Sequence, residues 1–209
     1  MSDPDRLAAV DIYAVGPYRI WKMIIPAPAA ILSTNATHNM HPNSVSKWRK
    51  TWRTHTYDLI RAADLPKHLA RVDFAVVFHF TTYGRRDALN YADTAKPIID
   101  AFGPPFVQAP TKKKPQGSTS PGWSLIDDDD PIHVDSTDLS IGQHWAFLAA
   151  ANPTQANLRA LDNKHGGVTI VIRECAPLPA DHHHVTRPKP PTIPAAVRQA
   201  AALQTLLGT

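Results

Sequence analysis

The alternation of apolar and polar residues from Val72 to Tyr83 (VDFAVVFHFTTY) is the clearest pattern in the chain. Val72, Phe74, Val76, Phe78 and Phe80 fall on one side of an extended backbone, with Asp73, His79 and Thr81 on the other. That spacing predicts a half-buried strand ended by Gly84. Tyr18–Ile25 (YRIWKMII) alternates in the same way, and Pro26 and Pro28 are expected to stop it. Val168–Arg173 (VTIVIR), a β-branched run after the His165-Gly166-Gly167 turn, predicts the last strand. The period changes over Ser44–Asp64, where Val45, Trp48, Trp52, Thr56, Leu59 and Ala63 form one helical stripe. Lys47, Lys50, Thr54 and Arg61 line the opposite side, with Arg49 and Arg53 at the flanks. The tryptophans therefore belong to the core rather than to base stacking.

A second helix follows the central strand. Tyr91, Ala92, Ala95, Ile98, Ile99 and Phe102 share one face, while Asp93, Lys96 and Asp100 share the other. Pro97 lacks an amide donor and crowds the preceding turn, so the helix is expected to start with Thr94 as N-cap, placing Pro97 in the first turn. The remaining segments carry weaker patterns. Residues 1–17 read as an N-terminal extension. Ile31–Asn43 is polar and turn-rich; its Asn35, His38 and His41 read as a loop, with metal binding by the histidines as the alternative. Residues 103–126 have Pro and Gly breakers and no period, so they predict a long loop insertion. Pro131–Ser140 reads as irregular, with His133 and Asp135 either near the site or capping a turn. Gln143–Ala151 and Thr154–Asp162 read as short helices. Ala176–Pro194 is a Pro-rich linker carrying His182–His184, and Ala195–Leu207 is a short amphipathic helix ended by Gly208. The expected class is α+β: a small mixed β-sheet packed with two main helices. A domain over 18–175 would contain the loop insertion, and 176–209 would be a Pro-rich C-terminal extension.

Candidate chemistry concentrates in two places. In Arg85–Asp100 (RRDALNYADTAKPIID), Asp87 and Asn90 lie in a turn just after an apolar strand, and Lys96 and Asp100 lie on the helix beyond it. A helix N-terminus there favours anions. Asp127–Asp130 places four carboxylates in succession, each raising its neighbours' proton affinity unless a cation neutralises them. Hard divalent ions prefer such oxygen donors. The competing reading is a solvated acidic turn.

Composition sharpens this picture. The chain has a net charge of +4 with acids gathered at one locus, which suits a polyanionic partner beside a metal site. Its single cysteine, Cys175, excludes an internal disulfide framework and fits a reducing cytoplasm. No apolar run approaches the ~20 residues of a membrane span, so no membrane partner is expected. Ser/His/Asp or Cys/His hydrolysis has no support, because no serine sits in a nucleophile-elbow context.

The order of these features carries a resemblance: an early Asn after an apolar strand, a Trp/Arg-rich helix, a strand, an Arg-Asp-x-x-Asn turn, a helix with Lys-x-x-x-Asp, then an acidic run followed by Val. From Tyr18 to Val134 the chain resembles the RusA family of Holliday junction resolvases. The resemblance implies a small homodimeric endodeoxyribonuclease of RusA-like fold that nicks four-way DNA junctions with Mg²⁺, or Mn²⁺ in its place. By this resemblance Asp87 is the first catalytic acid, Asn90 the asparagine of the same turn, Lys96 the helix lysine and Asp100 the helix acid. The family's later acid pair falls within Asp127, Asp128, Asp129 and Asp130, with Asp128 and Asp129 as the catalytic choice. Asn90, Asp93 and Asp100 would support the metal ligands. Lys47, Lys50, Arg53, Arg61, Arg85, Arg86, Lys112, Lys113 and Lys114 would contact DNA. Leu89 stands where the family usually has a second acid, so Asp93 or the surplus acid of the run is the substitute ligand. The spacing from Asn90 to Lys96 is also about one helical turn longer than in the shortest members.

Overall fold

The computed structural model describes residues 9–15, 17–108, 118–128, 133–151 and 164–178. The chain divides into a unit spanning Met1–Pro177 and a second spanning Leu178–Thr209, of which residues 179–209 lie outside the described set. The first unit is a mixed α+β domain built on a five-stranded sheet.

The strands of that sheet are β1 (Ala9–Val15), β2 (Tyr18–Pro26), β3 (Val72–His79), β6 (Val134–Ile141) and β7 (Gly167–Glu174). Their spatial order is β1-β2-β7-β3-β6. β2 and β3 both pair antiparallel with β7, so the last strand in sequence lies at the centre. β3 and β6 are parallel, which requires the chain between them to cross over the sheet. That crossover carries a 3₁₀ turn (Ala88–Tyr91), helix α3 (Ala92–Ile99) and a two-stranded ribbon, β4 (Phe106–Gln108) against β5 (Ser118–Ser120). Earlier in the chain come α1 (Thr34–His38) and the long α2 (Pro42–Ala62); α4 (Trp145–Ala151) follows β6.

Alternation sorts the sheet into two faces. Trp21, Met23 and Ile25 of β2, Val72, Phe74, Val76 and Phe78 of β3, and Val168, Ile170 and Ile172 of β7 all join one core. Trp48, Trp52, Leu59 and Ile60 of α2, with Ala95 and Ile98 of α3, pack into the same cluster. On the other face Ile24, Trp145 and Leu148 form a separate small cluster. His79 is buried rather than solvent-facing as its place in the alternation predicts, because α4 and its lead-in cover that end of the sheet. Its Nδ1–H donates to the Gln143 carbonyl at 2.9 Å, which leaves Nε2 to accept from the Thr169 hydroxyl at 2.9 Å.

Several boundaries differ from the sequence-based expectation. α2 begins at Pro42 rather than Ser44, because the His41 side chain caps Asn43 N and proline suits the first turn. It ends at Ala62, with Asp64 in the left-handed region at φ 47°. α3 starts at Ala92, two residues before the expected Thr94 cap, and Pro97 lies in its second turn. Thr94 instead exchanges two hydrogen bonds with the backbone of Leu32, accepting at 3.1 Å and donating at 2.9 Å. A tertiary bond outcompetes the local cap, and the helix carries its proline internally, ending two residues beyond it at Ile99. β3 ends at His79, not Tyr83. Ala9–Val15, expected to lie in an N-terminal extension, forms the edge strand β1, with Val15 opposite Tyr18. Thr34–His38, expected as loop, is a short helix capped by Ser33. The irregular reading of Pro131–Ser140 is also corrected, since Val134–Ile141 is an edge strand whose half-exposed residues leave little apolar signal.

The 103–126 segment departs most from the expected long loop. Besides β4 and β5 it contributes Trp123, Leu125 and Ile126 to the main core. Trp123 N, Ser124 N and Leu125 N donate to the carbonyls of Ala101, Gly103 and Phe102 at 3.0, 2.9 and 2.8 Å. Gly122 is needed there, since a β-carbon would collide with the Pro104 carbonyl. Residues 109–117, 129–132 and 152–163 lie outside the described set, and with them Lys112–Lys114, Asp129–Asp130 and the whole of the expected 154–162 helix. The tail's His182–His184 and Ala195–Leu207 lie outside it as well.

Candidate functional site

The backbone bonds between 101–103 and 123–125 have a direct consequence for the site. They bring the chain leaving the core at Ile126 back beside the C-terminal end of α3. Lys96, Asp100 and Asp128 thereby line one cavity of about 300 Å³, together with Arg53 of α2 and the Gly103–Phe106 stretch. Lys96 Nζ lies 2.9 Å from Asp100 Oδ1, one turn along the helix. Arg53 reaches the rim already engaged: its Nε donates to the Pro121 carbonyl at 2.7 Å and Nη2 to that of Pro104 at 3.3 Å. The arginine expected to contact DNA therefore also holds the two ends of the 103–126 segment.

The other predicted acids are distributed around this cavity rather than inside it. Asp127 pairs with His68 Nδ1 at 2.6 Å. Asp87 is exposed and outside the cavity lining; its Oδ1 accepts from Leu89 N at 3.1 Å, capping the 3₁₀ turn. The Asn90 carbonyl accepts from the Thr34 hydroxyl at 3.2 Å, tying that turn to α1. Asp93 bonds the Thr37 hydroxyl and lies 3.4 Å from Arg49 Nη2. Asp93 thus joins α1, α2 and α3.

The predicted cations divide in the same way. Lys47, Lys50 and Arg61 are exposed and fall on one side of α2, within about 60° of each other around its axis. Arg85 is exposed. Arg86 stacks its guanidinium over Phe80 at 4.2 Å and donates to Thr82 Oγ1 at 2.7 Å.

The donor set suits a divalent cation in kind. Asp100 and Asp128 bring carboxylates from separate segments to one cavity; Asp100 is already paired with Lys96 at 2.9 Å, which leaves Asp128 and its neighbours in the acidic run as the oxygen donors for a cation. Among the described residues, three potential ligand side chains come within mutual reach only at Asp73, Asp135 and Cys175. There Arg71 contacts Asp135 and Arg173 lies 3.6 Å from Asp73, so the carboxylates are already neutralised by arginine. Burial raises the Cys175 thiol's pKa, and the Asp73 carboxylate adds to the effect. Sequence reasoning missed this group because Asp73 and Cys175 belong to a central strand and its neighbour's end, and nothing local signals their approach.

A second, more apolar hollow of about 270 Å³ adjoins through Lys96, between α3 (Ala92, Ala95, Ile99) and β6 (Val134, Thr137, Leu139). Leu89, at 71 % exposure, stands at its edge. Compared with known proteins, the chain matches no family model and no curated protein. Among the described residues no helix is long and apolar enough to cross a membrane.

Proposed function

We propose that this protein is a metal-dependent endodeoxyribonuclease that cuts branched DNA, with a four-way junction as substrate, as its resemblance to the RusA family implies. The observation that carries the reading is the meeting of Lys96, Asp100 and Asp128 on one cavity, from positions the sequence separates by a whole segment. Asp128, with its neighbours in the acidic run, would hold Mg²⁺ or Mn²⁺. Bound there, such an ion would supply Lewis acidity toward a phosphoryl oxygen and lower the pKa of water. The chain's own contribution is electrostatic and positional. The Lys96 ammonium, held by Asp100, stabilises negative charge developing on the scissile phosphate. The exposed Lys47, Lys50 and Arg61 track the backbone, each neutralised phosphate adding about one unit to the salt slope of binding. Two-fold junction symmetry matches a homodimer with two such cavities, acting in the cytoplasm.

The experiment is Mg²⁺-dependent nicking of a synthetic four-way junction by the wild type, Asp128→Asn and Asp87→Asn. Asp128→Asn should lose cleavage and keep junction binding, and cleavage by it at the wild-type rate sinks the proposal; loss in Asp87→Asn would add the role that the resemblance implies for Asp87, whose carboxylate lies outside the cavity. One observation favours a second reading, a non-catalytic structured-DNA-binding protein on the same fold. Asp87 spends an oxygen on Leu89 N outside the cavity, and exposed Leu89 replaces an acid that the resembling family usually carries. That reading expects a mobility shift with no product at any metal concentration.

A further inference from the structure

Where β3 has ended and α4 begins, aromatic rings gather on the surface. The Tyr83 ring is 79 % exposed and stacks on the His144 imidazole, with centroids 4.7 Å apart and planes 25° from parallel. His144 in turn meets the edge of Phe147, itself 59 % exposed, at 6.0 Å. Single exposed rings are ordinary on protein surfaces. Three in consecutive contact, each outside the two hydrophobic clusters, have no packing explanation.

The support beneath them is rigid. Gly142 N donates to the Phe78 carbonyl and Trp145 N to that of Phe80, both at 2.9 Å, so the start of α4 is bonded to the end of β3. His144 Nδ1 accepts from Ala146 N at 3.3 Å, which orients the imidazole under Tyr83. One face of the phenol is thus occupied and the other is turned to solvent. Positive charge lies next to it: Arg85 is exposed two residues on, and Arg86 is stacked on Phe80 at 4.2 Å. Tyr83 is also only four residues from Asp87, at most about 14 Å along an extended chain.

We propose that Tyr83, backed by His144 and Phe147, is a stacking platform for an unpaired nucleobase of a DNA strand, with Arg85 taking the adjacent phosphate. Every base has a π-face, so such a platform accepts any sequence and requires only that the base be unpaired. A base splayed out at a branch point offers such a face, so the platform rests on the DNA-binding reading above. Pre-ordering by the backbone bonds limits the conformational entropy lost on binding.

The test compares binding of fluorescently labelled oligothymidylate and of a blunt duplex of the same length by wild type, Tyr83→Ala and Tyr83→Trp. Exposure of the ring keeps these substitutions away from folding. Tyr83→Ala should weaken oligothymidylate binding on the order of 10-fold, leave duplex binding unchanged, and be matched by wild-type affinity in Tyr83→Trp. If Tyr83→Ala binds oligothymidylate like the wild type, or loses both ligands equally, the platform is refuted while DNA binding stands. A wild type that holds duplex but not oligothymidylate refutes it as well. A wild type that binds neither overturns this proposal together with the reading it rests on.

Discussion

The two faces of the central sheet are built from the same strands and differ in almost everything else. One carries alternate residues of β2, β3 and β7 into a continuous core under α2 and α3. The other gathers Ile24, Trp145 and Leu148 beside a buried imidazole. The large core is where distant segments must meet, so its rim is where Lys96, Asp100 and Asp128 assemble. Among the described residues the small face has little apolar area and adds polar bonds, His79 linking β3 to β7 and to the lead-in of α4. Among the described residues, extensive apolar burial is thus available to position a site on one side of this sheet.

That contrast can be broken most directly by truncation. Phe74→Ala, at a position with no exposure and 5.4 Å from the Phe102 ring, should cost about 3–5 kcal/mol in urea unfolding. Leu148→Ala on the small face should stay near the lower end of the roughly 2–5 kcal/mol range for such changes. Equal losses would mean the two faces contribute alike. Gly166→Ala is a smaller perturbation. Gly166 has φ +82°, and a β-carbon there would run into the His79 carbonyl, so a loss of about 1–3 kcal/mol is expected from strain and overpacking. An unperturbed midpoint would show that the β3–β7 corner yields.

The smallest effect is a pH slope. Burial holds the imidazoles of His79 and of His55, in the second half of α2, below their ordinary value, so the unfolded chain binds protons that the folded chain refuses. Stability should therefore fall as pH drops below about 6.5, the unperturbed histidine value, and level off once the depressed folded values are passed. His79→Gln should flatten part of that slope. A wild-type midpoint constant across the range would contradict the polar closure described for the small face.

Much of the large face was legible in the sequence. Val72, Phe74, Val76 and Phe78 show a period of two, and Trp48, Trp52, Thr56 and Leu59 a helical one; a buried surface imposes both periods on the residues that cover it. The stretches that misled are those whose partners are remote. β6 is an edge strand that needs no apolar run, Thr94 answers to Leu32 rather than to its own helix, and Trp123 is buried by α2 and the 65–69 turn inside a segment with no period of its own. The candidate site shows the same division. Residue types pointed to the two acidic stretches and the RusA resemblance singled out Lys96, Asp100 and Asp128 within them, but the same resemblance placed Asp87 beside them, and it lies outside their cavity.

By itself, then, the amino-acid order determined which residues of β2, β3, β7 and α2 face the main core and which side chains carry charge, because periodicity and chemistry are local properties. Which charges become neighbours was decided only by the tertiary structure. That outcome depends on backbone bonds such as those joining 101–103 to 123–125, and any residue but proline can make them.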